Sequence, residues 1–346
     1  MVTVFIPVYN GERYLKESLE SVLRQTYNNL EILIVNDGST DRSCEIIQHY
    51  QDERIRLVHN DGNKGLPYTR NRGLSEARGE YFATLDCDDI AFPKRIKLQV
   101  EFLERHRDID VATTDYLAFS GYLAKPIRNR NTSDETKINL IFGSSFICNS
   151  TSMIRMSSIR KWGIRYNEKC FVAQDTELWA QISKVGKIAN IPKVLGKYRT
   201  GHENVTRKTN RTRLKERTQI TADICNDLLE YYGFALDQEE KTLFHLFFGR
   251  NPKKSTLIVD NIQALLALFE KLRIKGKENF DEYLFNTILE NKVKNVVVNI
   301  NASISHKIEQ YKKLMPDATF DDIQTIFWRH LYHYTKSTIV DFAISK

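Results

Sequence analysis

Paired cysteines, long apolar runs and internal repeats are all missing from this 346-residue sequence. Its five cysteines are odd in number, lie far apart and form no C-x-x-C pair, which argues against a disulfide framework and against a zinc site. No apolar run approaches the roughly 20 residues that a helix needs to span a bilayer. The N-terminal residues read as a strand rather than as a signal peptide. We therefore expect a cytoplasmic protein without a membrane-spanning segment.

The residue composition is that of a folded protein with an excess of positive charge. Hydrophobic residues make up 41% of the chain and charged residues 27%, which excludes the low-hydrophobicity pattern of disorder. The net charge of +7 suits nucleic acid, an anionic membrane face or phosphorylated substrates, and charge alone does not choose among them. Because we find no dedicated nucleic-acid-binding motif, nucleic acid ranks last among these partners.

The first quarter of the chain alternates between apolar, strand-like runs and amphipathic segments. Strands are predicted at residues 2–8, 30–35, 55–59 and 81–85, and helices at 12–26, after 39–41 and at 66–77. Units of this kind form a parallel sheet with helices on both faces. The sequence therefore predicts an α/β, Rossmann-like fold for this region.

The later segments predict two further features. A helix opens at Pro93 and runs to about residue 105, a strand covers 111–119, and the polar stretch 125–137 reads as a loop that serves as a lid or an acceptor loop. From Arg207 onward strands largely vanish and amphipathic helices dominate. We therefore predict a catalytic domain at 1–206 and a mostly α-helical C-terminal domain at 207–346.

Polar strings follow three of the predicted strands, where parallel strands bring their carboxyl ends to one crevice. They are Tyr9-Asn10, Asn36-Asp37-Gly38-Ser39-Thr40-Asp41 and Asp86-Cys87-Asp88-Asp89. Crevices at this edge of open α/β sheets bind nucleotides. The three aspartates of the last string repel one another unless a cation or strong donors neutralise them, and their oxygens suit Mg²⁺ or Mn²⁺. The alternative is a solvated acidic turn.

Three single residues are candidates for holding a nucleotide. Asp37 is placed to accept hydrogen bonds from a base or ribose, with a turn and helix cap as the alternative. Tyr9 is placed to stack on a nucleobase, although a lone aromatic side chain more often packs within the protein. Arg70 offers a guanidinium to a phosphate, with an exposed helix arginine as the alternative.

In order and spacing, these strings resemble the motifs of the family 2 glycosyltransferases. The resemblance is carried by Pro7-Val8-Tyr9-Asn10, Asn36-Asp37-Gly38-Ser39-Thr40-Asp41, Arg70-Asn71-Arg72-Gly73-Leu74, Gly79-Glu80-Tyr81, Leu85-Asp86-Cys87-Asp88-Asp89 with Pro93 and Arg95, Ala173-Gln174-Asp175-Thr176-Glu177-Leu178-Trp179 and Lys197-Tyr198-Arg199-Thr200-Gly201-His202. It covers residues 1–206. It implies a GT-A fold, with a nucleotide-sugar half at about 1–110 and an acceptor half at about 111–206.

The resemblance also implies a UDP-sugar donor, a divalent Mn²⁺ or Mg²⁺ ion and inversion at the anomeric carbon. By position, Pro7, Tyr9 and Asp37 are expected to hold the uracil and ribose, and Arg70 to approach the diphosphate. Asp86 and Asp88 are expected to flank the ribose and the metal, with Asp88 as the metal ligand, and Asp175 matches the catalytic base. His202 is a candidate second metal ligand, with a structural hydrogen-bond role as the alternative.

Two residues depart from the family pattern, and the substrates stay open. Gln174 and Asn36 stand where the family usually has acidic residues, which alters the local charge. The segments 148–155 and 163–167 are similar to bacterial enzymes that extend lipooligosaccharide or capsule chains. UDP-GlcNAc, UDP-GalNAc, UDP-Glc and UDP-Gal are candidate donors, and fold does not fix the substrate.

Two other functions compete with sugar transfer. A sugar nucleotidyltransferase would carry a glycine-rich basic loop after the first strand, and residues 9–12 do not form one. A non-catalytic nucleotide-sugar or glycan binder is the second alternative, and the presence of both Asp88 and Asp175 argues against it.

For the helical C-terminal region we expect acceptor recognition, contact with an anionic membrane or homo-oligomer formation, because 207–217 is basic and 327–334 is aromatic and basic. The alternative is an ordinary helical bundle.

Overall fold

The computed structural model describes residues 1–129, 131–145, 147–201, 212–249, 254–319 and 321–328. Within these residues the chain divides into two compact units. The first comprises Met1–Leu140 and Ser144–Thr221, and the second comprises Ile141–Gly143 and Ala222–Lys346. The domain boundary predicted after residue 206 falls outside the described residues and stays a prediction.

The first unit is built on a sheet of nine strands in the order β3-β2-β1-β4-β8-β6-β9-β5, with β7 paired to β6. The strands are β1 Val2–Val8, β2 Leu30–Asn36, β3 Ile55–His59, β4 Tyr81–Thr84, β5 Ile90–Ala91, β6 Val111–Ser120, β7 Leu123–Ile127, β8 Met153–Arg155 and β9 Ile188–Arg199. Strands β3, β2, β1 and β4 are parallel to one another. The other half is mixed, since β8, β7 and β5 run antiparallel to their neighbours.

The α/β fold class and the helical C-terminal region are confirmed. The helices are α1 Leu15–Leu23, α2 Ser43–Gln48, α3 Leu66–Glu76, α4 Arg95–Arg105, α5 Ser133–Ile141, α6 Met156–Trp162, α7 Gln174–Val185, α8 Leu214–Tyr231, α9 Gln238–Phe248, α10 Lys254–Asp260, α11 Ile262–Asn279, α12 Glu282–Val298 and α13 Ile304–Leu314. Every residue of β1 and β2 is buried, as expected of central strands covered on both faces.

One predicted segment is wrong. The stretch 125–137 was expected to be a loop, but its described residues include the end of β7 and the start of α5. Strand β7 was not predicted because its sequence shows no alternation of apolar and polar residues, in keeping with the exposure of every residue of Leu123–Pro126. It forms because it pairs with the long strand β6 as a hairpin. Helix α5 begins with a reciprocal bond pair, in which the Thr132 N–H donates to Glu135 and the Glu135 N–H donates to Thr132 Oγ1.

Helices alone make up the described secondary structure of the second unit. Phenylalanine rings fill its interior, and Phe142, from the short stretch 141–143, stacks with Phe244 at 5.8 Å between ring centroids. Phe142 also lies 4.9 Å from Phe248 and 6.1 Å from Phe285. None of the helices in the described ranges combines the length and the apolar character that crossing a membrane requires.

Candidate active site

The strand order opens a crevice between β1 and β4. The chain places β2 and β3 on one side of β1 and β4 on the other, which is the reversal point where α/β sheets bind ligands. Pairing between β1 and β4 stops at Phe5 and Thr84. Pro7, two residues further along β1, has no N–H with which to extend that pairing. A proline in a central strand is thus tolerated here because the strands separate.

Much of the polar sequence after β1 and β2 fastens the two following loops to each other. The Asn10 N–H donates to Ser39 Oγ at 3.0 Å, and Asn10 Oδ1 accepts from the Thr40 N–H at 2.8 Å. The Glu12 N–H donates to Asp41 at 2.9 Å. These bonds hold Asn10 in the left-handed region, at φ +51°. The polar residues after β1 and β2 therefore have a structural task, which is to hold the two loops together. The neighbouring Tyr9 is 49% exposed.

Asp37 is buried and already engaged by the protein. Its carboxylate accepts hydrogen bonds from Asn60 Nδ2 at 2.8 Å, the Lys64 N–H at 2.8 Å and the Gly65 N–H at 2.9 Å. A carboxylate has about four acceptor positions, so about one is left for a nucleoside. The first task of Asp37 is thus to shape the loop between β3 and α3.

Arg70 connects the acidic string after β4 with the region of Asp175. Its Nη2 lies 3.0 Å from Asp86 Oδ1, and its guanidinium carbon lies 5.5 Å from the centroid of the Tyr166 ring. Burial alone would lower the pKa of Arg70, but the charges of Asp86, and then of Tyr166 and Asp175, outweigh burial and raise it. Arg70 Nε and Nη1 are buried and have no hydrogen-bond partner among the described residues. Such orphaned donors at a crevice indicate a place for an anionic ligand.

Asp89, the last residue of the acidic string after β4, is fully buried. Burial, and then the charges of Asp88 and Asp86, raise its pKa well above the usual range. One of its carboxylate oxygens accepts from the Arg199 N–H at 2.7 Å. The protein therefore relieves part of the repulsion expected within the acidic string, because Arg70 pairs with Asp86 and burial favours the neutral form of Asp89.

Arg199, at the end of β9, fixes the acidic string in place. Its Nε donates to the backbone carbonyl of Asp88 at 2.8 Å, and its guanidinium carbon lies 4.2 Å from the centroid of the Tyr14 ring and 4.5 Å from that of Phe119. Its Nη2 pairs with Glu17. Sequence reasoning assigned Arg199 no role. Its position at the end of a twelve-residue strand, within the Lys197-Tyr198-Arg199 string, was the available signal.

The donor set at the acidic string fits a hard divalent ion bound together with a diphosphate. In the ranges that the structure describes, no three side chains of His, Cys, Asp or Glu are grouped so as to hold a metal ion. Mg²⁺ at nucleotide sites takes one or two carboxylates and completes its shell with phosphate oxygens and water. The half-buried Asp88, with Asp86 beside it, suits that arrangement. His202 lies outside the described residues.

Asp175 occupies the first turn of α7, preceded by Ala173 in the left-handed region at φ +54°. One of its oxygens accepts from the Thr176 N–H at 2.8 Å, and the residue is partly exposed. Through Arg70 it is electrostatically coupled to the same site as Asp86. A carboxylate with this access is able to take a proton from a bound hydroxyl.

Cysteine chemistry is disfavoured at this site. Cys87 lies between Asp86 and Asp88, and burial, followed by the charges of the aspartates of the acidic string, raises the pKa of the Cys87 thiol and of the Cys148 thiol. Thiols of this kind stay protonated and are poor nucleophiles.

Comparison with protein families identifies a match to the N-terminal part of this chain. The model described as glycosyl transferase family 2 matches residues 3–163. A putative glycosyltransferase EpsE of Bacillus subtilis is 36% identical over 214 residues, which are 60% of this chain and 76% of that protein. An uncharacterized glycosyltransferase of Haemophilus influenzae is 34% identical over 223 residues, which are 60% of this chain and 67% of that protein.

Solved structures share the fold. The S. aureus TarS 1–349 structure in complex with UDP-GlcNAc gives a TM-score of 0.58 at 18% identity, over 96% of this chain and 92% of that one. A longer S. aureus TarS structure gives 0.55 at 19% identity, and there the chain spans about half of the larger protein, 54%. At these identities the likeness extends to the fold alone.

Proposed function

Because this chain belongs to glycosyl transferase family 2, we propose that it transfers a sugar from a UDP-sugar to a glycan hydroxyl, with inversion and with the help of Mn²⁺ or Mg²⁺. The observation that carries this proposal is the position of Arg70. It is paired with Asp86 at 3.0 Å and electrostatically coupled to Asp175, so one buried cation links the proposed donor side to the proposed base. A UDP-GlcNAc complex is known for the TarS structure, which supports a UDP-sugar donor here.

In the proposed mechanism the donor lies along the crevice after β1, β2 and β4. Tyr9 stacks on the uracil, the backbone at Pro7 and the loop held by Asp37 border the nucleoside, and Arg70 approaches the diphosphate with its unpartnered Nε and Nη1. Asp88 would hold the divalent ion. When bound, such an ion would offset the charge that develops on the UDP leaving group.

Asp175 acts as the general base. It takes the proton of the acceptor hydroxyl while that oxygen attacks the anomeric carbon and the bond to the UDP oxygen breaks on the opposite face. The transition state resembles an oxocarbenium ion, as in glycoside hydrolysis. Candidate donors are UDP-GlcNAc, UDP-GalNAc, UDP-Glc and UDP-Gal.

A bacterial surface glycan, or a lipid-linked precursor of one, is the proposed acceptor, with the enzyme in the cytoplasm or at the inner face of the membrane. Exposed Phe327 and Trp328 at the end of the described residues support peripheral contact with anionic lipid. The rest of 327–334, and the basic segment 207–217 before residue 212, lie outside the described residues. Acceptor binding and homo-oligomer formation remain the other candidate tasks of the helical region.

The decisive experiment is a screen of UDP-sugars for thermal stabilisation and for metal-dependent hydrolysis or transfer. Asp175→Asn is expected to reduce transfer at least about 100-fold while UDP binding is kept, because an amide cannot accept the proton. Asp88→Asn is expected to abolish the response to Mn²⁺. Glu177→Gln, two residues further along α7, where the Glu177 carboxylate accepts hydrogen bonds from Gln181 Nε2, is the matched control and is expected to keep activity.

Each contrary outcome has a distinct meaning. UDP binding without hydrolysis or transfer of any sugar would favour the non-catalytic binder, and nucleotidyl transfer from a nucleoside triphosphate would favour the other alternative. Full activity of Asp175→Asn would remove Asp175 from the role of base. Full activity in EDTA would exclude a requirement for a divalent metal ion.

A further inference from the structure

The loop before Asp175 is fastened to the helix that carries Arg70 by one side-chain amide. Asn71 Nδ2 donates to the Tyr166 carbonyl at 2.9 Å, and the Tyr166 N–H donates to Asn71 Oδ1 at 2.9 Å. The amide thus bonds to both backbone groups of one residue, as a neighbouring strand would. The two residues are 95 positions apart in the sequence. Asn71 Nδ2 also donates to Glu168 Oε1 at 3.0 Å.

This contact is buried and lies next to the site. Asn71 is 9% exposed and Tyr166 is 2% exposed, so an unpaired amide or backbone group there would lose its solvation without replacement. Arg70 precedes Asn71 on α3, and its guanidinium lies 5.5 Å from the centroid of the Tyr166 ring. Adjacent residues of α3 therefore hold the acidic string and the loop 163–173.

The backbone at the end of that loop is strained, which is an independent sign that the loop is held. Ala173 adopts φ +54°, a conformation that is unfavourable for a residue with a Cβ. Such a conformation persists only where surrounding contacts determine it. Asp175 follows two residues later. A loop released from its contacts would relax at Ala173 and move the start of α7.

We propose that Asn71 is the positioning residue for Asp175, through its clamp on Tyr166; this inference rests on the proposed function. The clamp fixes the distance between the donor side, which α3 holds through Arg70, and the carboxylate that takes the acceptor proton. The Asn71 amide is buried and bonded to Tyr166 and Glu168, so we place its action in these contacts and not on the substrate. A shift of about 1 Å in a reacting group is enough to slow a reaction about 100-fold.

The test combines kinetics with a measurement that needs no activity. Asn71→Ala is expected to lower kcat for transfer about 10- to 100-fold, while UDP affinity changes less than about threefold because Arg70, Asp86 and Tyr9 are unchanged. In hydrogen exchange, the Tyr166 amide is expected to exchange faster than in the wild type. Asn71→Asp, of nearly the same volume, keeps the acceptor for that amide but loses the donor, and it is expected to slow transfer as well.

Two controls separate positioning from loss of stability. Asn190→Ala removes a comparable partly buried amide of the first unit, which bonds to Asp115, to the carbonyl of Asn129 and to that of Ile191, and is expected to leave kcat within about threefold. Glu168→Ala removes only the third bond and is expected to leave the Tyr166 amide protected. The residual activity of Asn71→Ala is expected to keep the acidic limb of the pH profile, because the base is still a carboxylate.

Three outcomes would overturn the proposal. They are a kcat no lower for Asn71→Ala than for Asn190→Ala, a parallel loss of UDP affinity, and an unchanged rate of exchange at the Tyr166 amide. If the wild type transfers no sugar while the Tyr166 amide of Asn71→Ala still exchanges faster, the proposed function has failed and the clamp stands.

Discussion

Replacing Gly73 by alanine sets two opposing effects against each other in helix α3. In an open helix the change would stabilise the protein by about 1 kcal/mol, because glycine is the poorer helix former. At Gly73, however, an added Cβ would lie 2.3 Å from Cε2 of the Phe5 ring and 2.6 Å from its Cδ2. Carbon atoms in contact are normally about 3.5–4.0 Å apart, so α3 or the ring must move by more than about 1 Å.

We expect the packing effect to exceed the helix-forming effect. Phe5 is fully buried in β1 and stacks on Phe82 with 5.2 Å between ring centroids, so the ring has little room to move. Overpacking a tight core costs about 1–3 kcal/mol, which leaves a net loss of up to about 2 kcal/mol after the gain in helix propensity. Because Arg70 lies one turn earlier on α3, we also expect transfer activity to fall about 100-fold.

Hydrogen exchange of the β1 and α3 amides in increasing urea measures the first unit separately from the second. Ser75→Ala, an exposed change in the same helix, is the control for helix propensity and is expected to change stability by less than about 0.5 kcal/mol. Phe5→Leu combined with Gly73→Ala is expected to cost at least about 1 kcal/mol less than the sum of the two single changes. A Gly73→Ala protein more stable than the wild type would refute the reasoning.

Three further predictions concern other residues. Tyr9→Ala is expected to weaken UDP binding about 5- to 150-fold, the range measured for base stacking, and Tyr9→Phe is expected to preserve it. Calorimetry measures both affinities, and a Tyr9→Ala affinity equal to that of the wild type would exclude stacking. Arg199→Lys keeps the charge but loses the Nε bond to Asp88, so the Mn²⁺ concentration for half-maximal activity is expected to rise about 10- to 100-fold, whereas an unchanged midpoint would contradict this role. The hydrogen bond from Lys294 lowers the pKa of Asp322, so this pair stabilises the second unit above about pH 4 and its contribution is lost as the pH falls through the lowered pKa. Asp322→Asn is therefore expected to reduce the fall of the urea midpoint between about pH 5 and pH 3, and the same fall in both proteins would argue against the pair.

The sequence predicts the parallel half of the sheet well because strand ends leave local signals there, whereas β5, β7, β8 and β9 of the mixed half were not predicted. Apolar runs followed by Tyr9, Asp37 and Asp86 are enough to place these residues at the carboxyl ends of β1, β2 and β4. Partners of the side chains are a different matter, since they depend on residues far away in the sequence. Nothing local to Asp37 reveals that Asn60 and two backbone N–H groups occupy its carboxylate.

The unpredicted parts of the site share one cause. Arg199 is 111 positions from Asp88, and Asn71 is 95 from Tyr166, so no periodicity connects them. The burial that raises the pKa of Asp89 likewise arises only when the sheet forms. The assignment of Asp88 and Asp175 to metal and base came from family resemblance, and it stays a prediction.

The short stretch Ile141–Gly143 has a practical consequence for dissecting this protein. It belongs to the second unit although the chain on both sides of it belongs to the first, so no single cleavage separates the two units cleanly. A fragment that starts at Ala222 would lack the Phe142 ring, which is 4% exposed and contacts three other phenylalanines. Removing a buried phenylalanine side chain costs about 3–5 kcal/mol. Expression of the helical region alone should therefore begin before Ile141 or carry residues Ile141–Gly143 on a linker.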